Sequence, residues 1–160
     1  MTSIKAKKTE YMGTVFRSKS EAMFARLLDL TCDTVWFYEP EQFRLVDKYV
    51  PDFLIIKKKE NKPRLDFIEY KPKEPTASYL GNLVSHRLPE ILKIAKSCYA
   101  KSSFDHQCFS IGFRVVCFDF FQSNSSLLEL TFAQEAFKKN IFHVDASHLD
   151  DIKNYRFDLR

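Results

Sequence analysis

No apolar run in this chain approaches the roughly 20 residues that a membrane-spanning helix needs, so no membrane association is expected. The opening Met-Thr-Ser-Ile-Lys-Ala-Lys-Lys is basic and has no apolar segment of the kind a secretory signal carries, which implies a cytoplasmic, intracellular protein. Four cysteines are present (Cys32, Cys98, Cys108, Cys117) but no C-x-x-C pair, which argues against a zinc site or a disulfide framework and for buried thiols. Charge of one sign is scarcely in excess: a net +4 gives only slight support for a polyanionic partner. Internal repeats and linkers are missing as well, so residues 1–160 read as a single domain.

What the chain does have is apolar mass. A hydrophobic fraction of 45% with sixteen Phe is enough for a substantial core at this length. Residues 1–15 are basic with few apolar anchors and read as a flexible arm. Ser18-Lys-Ser-Glu21 is a capping box opening a helix to about Leu30. That is a complete structural explanation of Glu21, yet Glu21, Phe24, Ala25 and Leu28 share the inward stripe, so a site carboxylate is its second reading. Val35–Tyr38 reads as a strand, and Gln42–Val46 as a further extended piece after Pro40.

Tyr49-Val-Pro-Asp52-Phe-Leu-Ile-Ile56 and Phe67-Ile-Glu69-Tyr-Lys71-Pro72 read as paired strands, with Lys57–Arg64 between them as a polar loop. After a further loop, a helical region over 78–100 contains Pro89, which predicts a break near Arg87-Leu88. Residues 101–110 read as loop. Ile111–Phe121 is apolar on both faces, as in a covered strand, so Phe113, Phe118, Phe120 and Phe121 read as core. A helix over about 127–139, capped by the serines before it, and a short strand at Ile141–Val144 complete the C-terminal part, 125–160. The core, about 15–120, is thus an α/β arrangement in the order αβββαβ, a central β-sheet flanked by helices.

The chemistry lies in the paired strands. Residues two apart in a strand share a face, so Glu69 and Lys71 stand side by side. Pro51 interrupts pairing just before Asp52 and lets its side chain approach the neighbouring strand. Pro72 forces Lys71 to be extended. Carboxylates gathered in a partly dry site repel one another unless a cation joins them, and all-oxygen ligands favour Mg²⁺, with Mn²⁺ as a substitute. A salt bridge on an edge strand is the plainer explanation of the same residues.

On these motifs the chain resembles the PD-(D/E)XK nuclease superfamily: Pro51-Asp52 matches the first half of its signature, Glu69-Tyr70-Lys71 the second, and the Phe16–Glu21 helix start the upstream glutamate motif of many members. Within it, the chain is similar to phage and mobile-element endonucleases, including the endonuclease subunit of heteromeric transposases. The resemblance implies a restriction-endonuclease-like core with a central mixed β-sheet, and metal-dependent hydrolysis of DNA phosphodiester bonds to 5′-phosphate and 3′-hydroxyl ends. It implies that Asp52, Glu69 and Glu21 hold Mg²⁺, with the Tyr70 carbonyl as a further ligand, and that Lys71 is the catalytic lysine. Arg17, Lys19 and Lys73 flank the motifs as candidate phosphate contacts. The partner implied is DNA, in the nucleoid or the host cell cytoplasm, and cutting both strands calls for a homodimer or a partner DNA-processing protein. The glutamine-and-tyrosine helix motif that often follows the lysine is missing here. A non-catalytic DNA-binding or assembly subunit that retains the fold is the rival expectation. His143, Asp145 and His148 fit no standard ligand spacing, and His106 with Cys108 reads as a loop coincidence.

Overall fold

In the computed structural model, residues 6–31, 35–46, 48–59, 62–100, 110–122, 127–133, 136–142 and 145–159 are described. Two sheets organise the chain. The larger contains β3 (Val35–Tyr38), β4 (Phe53–Lys59), β5 (Lys62–Lys71), β6 (Ser110–Cys117), β7 (Leu127–Ala133) and β8 (Ala136–Phe142), in that spatial order. β5 and β6 run parallel and every other neighbouring pair antiparallel, so the sheet is mixed. The parallel pair needs a crossover, supplied by α2 (Ala77–Asn82), a π turn (Leu83–Arg87) and α3 (Leu88–Ala100). The smaller sheet pairs β1 (Thr9–Tyr11) with β2 (Thr14–Phe16) and with β9 (Asp158–Leu159).

The large sheet is apolar on both faces because both are covered. Phe53 and Ile55 of β4, with Ile68 and Tyr70 of β5, pack beneath α1 (Lys19–Thr31), α4 (Ala146–Asn154) and the small sheet. The alternate residues, Leu54, Leu65 and Phe67, pack with Leu83 and Ile91 of the crossover and with Phe43 and Leu45. The expected order of elements, helix, three strands, helix, strand, runs from Lys19 to Cys117. Pro89 lies in the first turn of α3, directly after the π turn, where its missing amide costs little. Among the described residues, no helix is long and apolar enough to cross a membrane.

Several expectations are corrected. The flexible arm is, from Thr9 onward, a β-hairpin. Met12 and Gly13 take φ values of 50° and 79°, as a two-residue hairpin turn requires, while Thr9, Tyr11 and Phe16 are buried. Residues 42–46 begin in a 3₁₀ turn, Glu41–Phe43, where the Phe43 and Arg44 amides bond the Pro40 and Glu41 carbonyls at 3.0 Å. Most of the loop expected over Lys57–Arg64 is strand: the β4–β5 ladder runs to Lys59 and Lys62, β6 supports β5 from Arg64 onward, and residues 60–61 fall outside the described residues.

The helix expected over 127–139 is the β7–β8 hairpin. Leu128, Leu130 and Phe132 alternate with Glu129 and Thr131, and this period of two outweighs the local helix signals once β6 offers an edge to pair with. Of the short strand expected at 141–144, residues 141 and 142 are the end of β8 and the other two fall outside the described residues, while a helix, α4, forms in the mixed tail, capped by Asp145, whose carboxylate accepts from the Ser147 amide at 2.7 Å. β6 stops at Cys117. Phe113, Phe118 and Phe120 are buried as expected, but Phe121 is 64% exposed because the chain has already left the sheet. The readings of residues 101–109, including His106 and Cys108, of the serines at 123, 125 and 126, and of His143 fall outside the described residues.

Candidate functional site

Asp52 stands one residue before β4, just beyond the Phe53–Ile68 pair, and therefore faces Glu69 across the end of the ladder. The chain bends there. Its carbonyl accepts from the Glu39 amide at 2.8 Å, prolonging the pairing with β3. Its carboxylate does what a ladder carbonyl would otherwise do: Oδ2 accepts from the Tyr70 amide at 2.9 Å. Pro51, with no amide to donate, suits this break in the pairing. Asp52 is thereby held, buried, at the mouth of the two central strands.

Glu21 reaches the same region from the other layer. It forms the expected capping box, its amide donating to Ser18 Oγ at 3.2 Å and its Oε2 accepting from the Ser18 amide at 3.0 Å. It also accepts from Tyr38 Oη at 3.0 Å and from Arg17 Nη2, through Oε1, at 3.0 Å. The two readings of Glu21 are therefore compatible, because the cap uses one carboxylate oxygen and leaves the other facing the site. Arg17 Nη2 also donates to Asp52 Oδ1 at 2.7 Å, and Arg17 Nε lies 3.0 Å from Glu39 Oε1. The sequence signals gave no hint that one guanidinium joins three acids.

Glu69 and Lys71 do share a face of β5, with Lys71 Nζ 3.2 Å from Glu69 Oε1. Glu69 is further held by the Tyr49 hydroxyl on Oε2 and by the Tyr79 hydroxyl on Oε1 at 2.9 Å. Lys71 Nζ sits 5.0 Å from the centre of the Tyr79 ring. Tyr70 points its ring to the opposite face, where its hydroxyl donates to the Phe118 carbonyl at 2.7 Å. Lys19 and Lys73 are exposed and outside the cleft lining, whereas Arg17 lines it.

These groups line a cleft of about 360 Å³ whose walls include Asp52, Glu69, Lys71 and Arg17, with Arg44, Lys48 and Arg87 adding positive charge. Glu21, Asp52 and Glu69 are all buried, while the Arg17 and Lys71 side chains are 59% and 34% exposed, so the acids are enclosed and the cations reach solvent. Burial pushes the Asp52 carboxyl up to about 7, reinforced by the charge on Glu69 and opposed by the Tyr70 amide and Arg17. Burial works to lower Lys71, but Glu69 and Tyr79 together outweigh it and the net shift is upward, so the ammonium stays charged. Burial also raises the Tyr49 and Tyr79 phenols, Tyr79 to about 12, keeping both as hydrogen-bond donors to Glu69.

The three expected ligands are not gathered at one point: Glu21 and Asp52 converge on Arg17, while Glu69 is held by Lys71 and two tyrosines. Among the described residues, no three His, Cys, Asp or Glu side chains are grouped closely enough to hold an ion together. The donor chemistry nonetheless suits a hard divalent cation, since all three are buried carboxylates and the charge between them is only partly compensated. Tyr38, Tyr49, Tyr79 and Glu39 went unseen in the sequence. Tyr49 lies in the opening stretch itself, but nothing local shows that its hydroxyl meets Glu69. Comparisons with protein-family models, with curated proteins and with solved structures return no match.

Proposed function

We propose that the chain is a metal-dependent DNA endonuclease with a restriction-endonuclease-like core, hydrolysing phosphodiester bonds to 5′-phosphate and 3′-hydroxyl ends. One observation carries this reading: Asp52 and the Glu69–Lys71 pair stand side by side at the same end of two adjacent central strands, opening onto a cleft whose walls carry Arg17, Arg44, Lys48 and Arg87 beside Glu39 and Glu41. Asp52, Glu69 and Glu21, with the Tyr70 carbonyl, would hold Mg²⁺ (or Mn²⁺), which supplies acidification of a water and neutralisation of phosphate charge. Lys71, charged and partly exposed, orients the attacking water and meets negative charge developing on the phosphate. Tyr49 and Tyr79 fix the Glu69 carboxylate and so keep Lys71 in register with it. Arg17 at the cleft wall, and Lys19 and Lys73 around it, take backbone phosphates. Cutting both strands takes two such sites, from a homodimer or a partner nuclease.

A second reading is favoured by the completeness of the network: Asp52 and Glu69 already have protein donors on both oxygens, as a non-catalytic DNA-binding or assembly subunit would. Incubation with linear, supercoiled and branched DNA in Mg²⁺ separates the two. The nuclease reading expects cleavage that falls by about 10²-fold or more in Lys71→Ala. It also expects a Ca²⁺-dependent gain in DNA affinity that Asp52→Asn loses. Failure to cut any of the three substrates, with Lys71→Ala indistinguishable from wild type, gives the site to the second reading.

A further inference from the structure

We propose that Arg17 is the resident counter-cation of this site: it bridges Glu21 and Asp52, two of the carboxylates that would hold a divalent ion, and would exchange them for a DNA phosphate in the metal-loaded protein. The inference rests on the metal-dependent reading above and concerns what Arg17 does within it.

Four observations carry it. First, a single nitrogen, Nη2, lies 3.0 Å from Glu21 Oε1 and 2.7 Å from Asp52 Oδ1. These oxygens come from different layers of the fold, a helix on one face and the mouth of a central strand, and converge as ligands do around a cation. Second, the carboxylates are the fixed members. Asp52 is tied to the Tyr70 amide, and Glu21 to the Ser18 amide and the Tyr38 hydroxyl. Arg17, with its side chain 59% exposed at the cleft wall, is the member that reaches solvent.

Third, Arg17 has a second anchor. Its Nε donates to the Tyr38 hydroxyl at 3.2 Å and lies 3.0 Å from the Glu39 carboxylate, so the guanidinium can surrender both Nη2 contacts and remain at the cleft. Fourth, Glu39 is held for this task at some cost. Its φ is 44°, a left-handed conformation that non-glycine residues rarely adopt, and its amide is bonded to the Asp52 carbonyl. The anchor for Arg17 and the carboxylate it leaves are thus joined through one backbone hydrogen bond.

Two consequences follow from charge alone. A guanidinium nitrogen and a divalent ion cannot share the same two oxygens, so Arg17 opposes metal binding in the absence of DNA. Once displaced, Arg17 offers its Nη donors to a phosphate, in the geometry that suits bidentate recognition. By linkage, metal then strengthens DNA binding and DNA strengthens metal binding to the same degree.

Titration with Mn²⁺ alone, the free ion counted by electron paramagnetic resonance, tests this on wild type, Arg17→Met and Arg17→Gln, each also carrying Asp52→Asn, with thermal melting to confirm folding. Removal of Arg17 is expected to tighten Mn²⁺ binding about tenfold, the equivalent of about 1.4 kcal/mol, and Asp52→Asn to abolish it in every background. Equal or weaker binding in both Arg17 variants, with wild-type binding still lost in Asp52→Asn, overturns the role of Arg17 and leaves the metal site standing. No Mn²⁺ binding in any protein overturns both. A measurement on wild type does not depend on the variants folding: nitrogen-15 spectra during a Mg²⁺ titration should show the Arg17 Nη groups shifting while Nε–H stays bonded to the Tyr38 hydroxyl. Saturation with Mg²⁺ that leaves the Nη groups unmoved overturns the exchange.

Discussion

At Asp52 burial, a neighbouring anion and two donors compete over a single proton, and burial wins, leaving the carboxyl at about 7 rather than its ordinary 3.8. The folded chain therefore holds that proton where the unfolded chain has released it. The associated stability is complete below about pH 4 and is lost as pH rises toward about 7. Asp52→Asn removes the titrating group, so the melting temperature of the variant relative to wild type should rise steadily between pH 4.5 and 7.5; a difference that stays flat across that range would show that the carboxyl is not raised. At this scale the sequence was informative wherever the signal was local. Pro51 before Asp52, the alternation of Glu69 and Lys71, and the three-residue spacing of Ser18 and Glu21 each reported a real position. Tyr38, Tyr49, Tyr79 and Arg17 were opaque in their actual roles because each acts on a residue from another element, a meeting that no local pattern encodes.

Between residue and fold, β5 and β6 carry the clearest test of an element. Gly112 lies opposite Asp66 in the parallel ladder, and a Cβ there would meet the Asp66 carboxylate and, at 3.1 Å, Arg64 Nη2. Asp66 is 1% exposed and cannot simply step aside, since Arg64 Nε holds it at 2.9 Å and Arg114 lies 3.7 Å away. Gly112→Ala should cost about 1–3 kcal/mol, the usual range for an overpacked interior, seen as a lower denaturant midpoint with an unchanged slope. A variant as stable as wild type would mean that the β5–β6 register differs from the one described. α1, with its helical stripe, and the short apolar runs of β3 and of Phe53–Ile56 in β4 were legible in advance, although Tyr49–Asp52, expected in the same strand, lie before it. β7 and β8 were not, because Leu127–Phe142 contains good helix formers and only the exposed edge of β6 decides in favour of pairing. The N-terminal hairpin was hidden for a different reason: its partner β9 lies at the far end of the chain.

Across the whole molecule, the site needs both layers. Glu21 comes from the helix on one face of the sheet and Tyr79 from the crossover on the other, and they reach the mouth of β4 and β5 around its end. The order of elements was readable because each could be judged alone. The small sheet was not, since it joins residues 9–11 to 158–159 across almost the entire chain. That junction has a topological consequence. With Glu10 paired to Asp158, the described chain is nearly a closed ring, stitched where a linear polymer would have two remote ends. Closing so long a loop is paid once, in entropy, and grows only slowly with loop length. A covalent version should therefore be tolerated: a short flexible linker from Leu159 to Thr9, with the chain reopened between Lys59 and Lys62, keeps every strand pair described here. Such a permutant should melt cooperatively with a wild-type far-ultraviolet spectrum, whereas a chain that fails to fold would show that the ring is not closed at β1 and β9.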